Sequence, residues 1–239
     1  MSTLKTTAIQ HLNASTPAIS LTANGRVGIG TTGPSQMLHV EGEAFFGRIG
    51  GDEGGEIGFG RASDNLKQYS IDTYGSGSTP SLRFLDAVGG AVRMQIDSAG
   101  CVTTPSQPSF RAAATDNGSF TSGTIPYSQV ITNVGNCYNA STYRFTAPVA
   151  GVYIFEAHFL TNRNTTAGDH GFDFYINGSA VKRIYHGVSG GTSVHAEARG
   201  TLITYLNATD YVTIYMYGNA KTGIVGNPTH CQFAGFFLG

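Results

Sequence analysis

The 239 residues carry a net charge of -1, only 12% Asp, Glu, Lys and Arg, 33 Gly and no Trp. So weak and balanced a charge leaves no electrostatic footprint for nucleic acid or an anionic membrane surface. The abundance of Gly, Thr, Ser and Asn, with Tyr and Phe as the only aromatics, favours strands and turns over long amphipathic helices, so the composition predicts an all-β fold.

Met1 to Gln10 lack the basic, apolar and small-residue series of a secretory signal, and a cytoplasmic rather than secreted product is expected. The longest apolar stretch, Val152 to Leu160, is far short of the roughly 20 residues of a spanning helix, so no membrane insertion is expected. Cys101, Cys137 and Cys231 have no metal-ligand spacing and are expected as buried thiols; no metal and no cofactor is assigned.

In chain order, Asn24-Gly25 between the alternating runs around Leu21 and Val27 predicts a hairpin. The spacing of Ile19, Leu21, Gly25 and Val27 returns at Met94, Ile96, Gly100 and Val102, as if one hairpin module opened and closed the N-terminal region. Between them, Met37–Gly47, Gly50–Gly60, Tyr69–Tyr74 and Ser81–Leu85 read as short apolar strands bounded by turn residues. Strands so short do not enclose a core in one chain, whereas three chains could bury a shared axis. Residues 1–104 are therefore predicted to be a β-rich oligomeric stalk, and 105–108, with Pro105 and Pro108, a linker.

From 109 to 239 the strands lengthen, near 109–115, 124–134, 142–147, 151–161, 171–177, 180–187, 194–206, 210–217 and 230–238, as expected of a two-sheet antiparallel jelly roll. In the long strand after Gly151, side chains alternate, so Tyr153, Phe155, Ala157 and Phe159 share one face and Val152, Ile154, Glu156, His158 and Leu160 the other. Likewise Val212, Ile214 and Met216 fill the sandwich while Tyr211, Tyr215 and Tyr217 face outward. With Phe236 and Leu238, those tyrosines are more large apolar surface than one sandwich buries and are predicted to form a subunit interface.

Phe110 with Ala112, Asn133-x-Gly135-x-x-Tyr138, Phe145-x-x-Pro148-x-x-Gly151-x-Tyr153-x-Phe155, Asn177-Gly178, Leu202 before Thr209-Asp210 and Val212, and Phe233-x-Gly235-Phe236-Phe237-Leu238 follow one another in order. This segment resembles the trimeric jelly roll of the complement first-component globular head and the tumour necrosis factor superfamily. It departs from them at Thr209, where those relatives usually have Gly, and no collagen repeat precedes it. The resemblance implies a homotrimer. Separately, V-G-I-G-T-T-G-P-S-Q-M-L-H-V at Val27–Val40 is similar to a segment of bacteriophage tail fibres and virion appendages, and M-S-T-L-K to their virion-anchoring starts. That similarity implies a chain on the virion surface, docked to a virion protein by its N-terminal region.

Catalysis finds little support in the residues. Gly28-x-Gly30 with Gly33 misses the phosphate-loop spacings, and Asp52, Glu53, Glu56 and Asp64, the candidates for a glycosidase pair, lie among turn residues. The expected activity is binding of a host-surface glycan or protein. In an up-and-down sandwich the loops 161–170, 187–193 and 218–229 share one end. Their Asn162, Arg163, Asn164, Asp169, His170, Ser189, Thr192, Asn219, Lys221 and Asn227 form the predicted receptor-binding set. Asp169 alone is thin support for calcium on a trimer axis. A capsid decoration or tail component without receptor binding is the alternative, and a polysaccharide-degrading enzyme a more distant one.

Overall fold

The computed structural model describes residues 8–9, 18–47, 51–115, 118–120, 122–161, 168–189, 195–218 and 222–239. The chain divides into two compact units, Met1–Thr103 and Thr104–Gly239. Every regular element among the described residues is a strand.

The first unit holds β1 (Ala8–Ile9), β2 (Ile19–Leu21), β3 (Val27–Ile29), β4 (Leu38–Val40), β5 (Glu53–Gly60), β6 (Lys67–Tyr74), β7 (Ser81–Asp86), β8 (Ala91–Ile96) and β9 (Val102–Thr103). β1 to β4 make one sheet, with β3 and β4 parallel; β5 to β9 make an antiparallel meander. The repeated sequence spacing is a repeated geometry. The turn after Leu21 closes with Thr22 N to Arg26 O at 3.0 Å and Gly25 N to Thr22 O at 3.0 Å. The turn after Ile96 closes with Asp97 N to Cys101 O at 3.1 Å and Gly100 N to Asp97 O at 3.0 Å. Gly25 at φ +75° and Gly100 at φ +84° supply the left-handed residue both turns require. Cys101 follows that turn and is exposed, against the expectation of a buried thiol, whereas Cys137 and Cys231 are buried. Burial pushes the Cys137 thiol up to about 11.

The expectation of uniformly short strands is also corrected, since β5 and β6 are eight residues each. Gly makes β5 possible: the Phe46 carbonyl lies against Gly55, and the Thr73 hydroxyl and carbonyl lie against Gly54, where a Cβ would collide with them. The meander has two unlike faces. Asp72 stands opposite Arg83 and Glu56 opposite Asp72 on one; Ile57, Ile71, Phe84 and Met94 cross four strands in a row on the other.

The second unit holds β10 (Ser109–Ala113), β11 (Gly118–Phe120), β12 (Gly123–Thr124), β13 (Gln129–Val134), β14 (Tyr138–Asn139), β15 (Arg144–Thr146), β16 (Gly151–Leu160), β17 (Gly168–Ile176), β18 (Ser179–Ser189), β19 (Glu197–Leu206), β20 (Tyr211–Gly218), β21 (Thr222–Ile224) and β22 (Gln232–Phe237). One sheet runs β13-β10-β22-β16-β19; the other runs β14-β15-β20-β17-β18, with β12 on β20. The single strand expected over 124–134 is split, because Pro126 has no N–H to continue a ladder. β12 pairs with one sheet and β13 with the other, and Ile125 and Tyr127 are buried between. Tyr143, expected on a strand, sits in a turn at φ +57°.

Between the sheets lies an aromatic core. Phe110 stacks on Tyr138 with ring centres 4.7 Å apart and meets Phe233 edge-on at 4.8 Å; Phe145 meets Phe155 edge-on at 5.0 Å. Tyr153, Phe155, Phe159, Phe172, Phe174 and Phe233 have no exposed surface, each contributing about 2–3 kcal/mol of burial. Gly235 is glycine because a Cβ there would lie 2.6 Å from the rings of Phe110 and Phe155. The chain enters beside its own C-terminus: Ser109 pairs with Phe236, Pro108 O accepts from Phe237 N at 3.0 Å, and Gln107 donates to Phe237 O at 2.8 Å.

Candidate functional site

The strand register sorts the loops. Leu160 lies opposite Glu197, Gly168 opposite Ser189 and His170 opposite Gly218, and Thr161 bridges to Ile224. The connections from 161, 189 and 218 therefore leave from one end of the sandwich, away from the entering chain. At the entry end the Asn177-Gly178 turn is locked to the turn that joins β19 to β20. Asn177 donates to Asp210 at 2.7 Å and accepts from Tyr211 N at 3.0 Å, and Thr209 N reaches Ala147 O at 2.8 Å. The Asn177 amide chiefly, then the Asn207 N–H, holds the Asp210 carboxyl below the usual carboxylate range. Thr209 sits at φ +76°, a conformation that glycine adopts without strain.

At the far end the predicted residues have different fates. Asn162, Arg163, Asn164, Thr192, Asn219 and Lys221 lie outside the described residues, and of Ser189 only the backbone place is described. Asn227 is exposed, but its Oδ1 accepts from both the N–H and hydroxyl of Thr229 at 2.8 Å and so shapes its own turn. His170 is 5% exposed and points inward against the Tyr185 ring, with its pKa lowered chiefly by burial. It is a core residue, not a surface contact. Asp169, one residue earlier and on the opposite face, is half-exposed and pairs with His186 at 3.3 Å.

That pair opens onto a cluster the sequence did not single out. His186 Nδ1 is 3.1 Å from the Tyr217 hydroxyl, Arg183 caps the Tyr217 ring at 4.7 Å, and Arg183 Nε donates to Asp173 at 3.1 Å. Burial raises the Tyr217 phenol, and the Asp173 hydrogen bond raises Arg183. Along the same face Tyr215 stacks on Tyr175 at 4.6 Å and Arg144 covers Tyr211 at 4.1 Å. Tyr211, Tyr215 and Tyr217 do face away from the core, as alternation requires, but each ring is already covered by a neighbour. Phe236 and Leu238 belong to the other sheet, so one flat patch does not hold all five residues of the predicted interface.

The outer face of β13-β10-β22-β16-β19 is more open. Tyr205 and Ile203, each 62% exposed, Leu238 at 50% and Phe236 at 45% cluster near the entry end with Val152 and Ile154. Toward the far end the same face turns polar: His158 meets Glu197 at 2.9 Å, and Arg199 reaches Glu197 at 2.7 Å. Arg199 chiefly, then His158, holds the Glu197 carboxyl below its ordinary range. Ala234, small between Glu156 and Arg111, leaves a hollow floored by Phe236 and Ile154. Sequence reasoning missed Ile203 and Tyr205. Their signal was the apolar alternation opposite in phase to Leu202 and Leu206.

Of the glycosidase candidates, Glu53 and Glu56 line one hollow of the ionic face, and three are held in ion pairs. Glu56 binds Lys67 at 2.7 Å, Glu53 binds Arg83 at 3.1 Å and Asp64 binds Arg61 at 2.6 Å. The Lys67 hydrogen bond lowers the Glu56 pKa, opposite to what a general acid needs. Gly28 is pressed against Thr31 O and Ser20 Oγ in a β-sheet rather than opening a helix. Among the described residues no group of three His, Cys, Asp or Glu is arranged to hold a metal ion.

The fold and the open sheet face define a two-sheet, all-β jelly-roll head in one chain with a separate β unit. Residues 109–238, more than half of the chain, match the C1q domain family, and the chain belongs to that family. Complement C1q tumor necrosis factor-related protein 5 of Rattus norvegicus is 28% identical over 100 residues, which cover 38% of this chain and 40% of the length of that relative. The globular domain of zebrafish complement 1qA protein superposes with a TM-score of 0.42 at 16% identity, over 56% of this chain and 98% of that one. Murine APRIL at pH 5.0 gives 0.42 at 13% identity, over 55% and 99%. At those scores the family match carries the assignment.

Proposed function

We propose that the chain forms a homotrimeric fibre or appendage protein of a virion whose C1q-type head binds a host-surface glycan or protein through its far-end loops. The reading rests on one observation: the open apolar part of the β13-β10-β22-β16-β19 face lies at the end where the chain enters, and the strand ends at 161, 189 and 218 lie at the other. Three copies closing on Ile203, Tyr205, Phe236 and Leu238 bury that surface and leave the loops free to meet a ligand. The similarity of Val27–Val40 to appendage segments supports the virion location and a virion protein as the partner of the N-terminal region.

Combined alanine substitution of Arg163, Asp169 and Lys221 tests the loop site. Host-cell adsorption lost with the oligomer mass unchanged supports attachment; adsorption unchanged favours the alternative of a structural decoration without receptor binding. His170 is left intact in that variant because its side chain is buried.

A further inference from the structure

The meander of the first unit is inside out. On its ionic face Ser70 is 2% and Asp72 4% exposed, with Arg83 donating to Asp72 at 2.9 and 2.6 Å and reaching Glu53 at 3.1 Å. That face covers itself. On the opposite face Ile57, Phe59 and Tyr69 are 44%, 50% and 52% exposed, and Val102, at the end of the row through Leu82 and Ile96, is 57%. The ions beside this face, Arg93 and Asp86, pair with each other at 2.7 Å. This sheet shields its charges and exposes its apolar side, and among the described residues no layer covers it.

We infer that copies of this chain supply that layer: the apolar faces of the β5 to β9 meanders pack against one another around the axis of the oligomer. This rests on the trimeric reading of the head. A face of apolar side chains bordered by an internally paired Arg and Asp needs no charge match, so an identical face is its simplest complement. Its size sets how the contact forms. Nine apolar side chains, part-exposed, offer on the order of 500 Å² per copy, below the roughly 800 Å² per partner of an interface that stands alone. The meanders therefore do not assemble by themselves at micromolar concentration. Once the heads associate, the covalent link raises the effective concentration of the N-terminal units to about millimolar, and the small face then closes. The head nucleates the oligomer and the meander extends it.

The test uses the full chain with Cys101→Ser, carrying either Thr73→Cys on the apolar face or Gln95→Cys on the ionic face, treated with a short bismaleimide. Thr73→Cys is expected to cross-link between chains at least tenfold faster than Gln95→Cys at one trimer concentration. Adding Ile203→Glu, which opens the head contact, is expected to bring the Thr73→Cys rate down to that of Gln95→Cys. Equal rates for the two cysteines in a chain of trimer mass overturn the meander contact and leave the head reading intact. Rapid cross-linking that survives Ile203→Glu overturns the dependence on the head. A monomer mass before any treatment overturns the trimeric reading of the head, and this inference with it.

Discussion

The two units solve the same problem in opposite ways. The head closes two sheets over interlocked aromatic rings, Phe110, Phe155 and Phe233 among them, and is a complete sandwich within one chain. The N-terminal unit directs its burial to ions, Asp72 with Arg83, and leaves Phe59 and Tyr69 half-exposed. Each chemistry suits a different role, since a closed core makes a head that presents loops and an open apolar sheet is a surface waiting for neighbours.

The largest effect that sharpens this contrast is core truncation. Phe155→Ala should cost the head about 4 kcal/mol, because the ring is enclosed on both sides. Phe59→Ala, half-exposed, should cost the N-terminal unit of a full chain held monomeric by Ile203→Glu less than about 1 kcal/mol. Thermal unfolding followed by aromatic circular dichroism measures both; similar costs would erase the distinction. Next in size, Arg83→Met strands the buried Asp72 carboxylate and should cost about 3 kcal/mol, and the double variant Asp72→Leu with Arg83→Met should recover most of it. A loss that the second substitution does not repair would mean the ionic face is held by something other than this pair.

Smaller in size is Thr209→Gly. A β-branched residue at φ +76° is strained, so glycine should stabilise the head by about 1 kcal/mol, read as a raised denaturation midpoint. Smallest is the pH dependence from His170. Burial lowers its folded pKa, while Asp169 pulls it upward and His186 downward. The unfolded chain therefore takes up the proton first, at about pH 6.5. This contribution is absent above that pH, and head stability falls as pH drops from there through the folded pKa. His170→Gln should flatten that part of the profile, whereas a profile unchanged by the substitution would place the sensitivity elsewhere.

Much of the head is legible in the sequence because period two is a strong signal where one face is sealed. The inward set Tyr153, Phe155, Ala157 and Phe159 and the inward set Val212, Ile214 and Met216 follow from alternation alone. The hairpin turns at Gly25 and Gly100 are legible because left-handed backbone needs glycine. What sequence does not show is what lies across a sheet. Arg83 reaches Asp72 over 11 residues and Arg183 caps Tyr217 over 34, so no local spacing announces that the outward tyrosines already have partners. His170 misleads for a related reason. A polar side chain near a loop suggests the surface, and only the phase of β17, which turns His170 inward with Phe172 and Phe174, reveals its burial.

The central claim is that the open face of the head is a subunit contact, and mass in solution tests it most directly. Light scattering on the full chain at micromolar concentration should give three times the 25.1 kDa of one chain, and Ile203→Glu should reduce it to one. A stable single-chain mass for the unaltered protein, or a trimer indifferent to Ile203→Glu, would contradict the account.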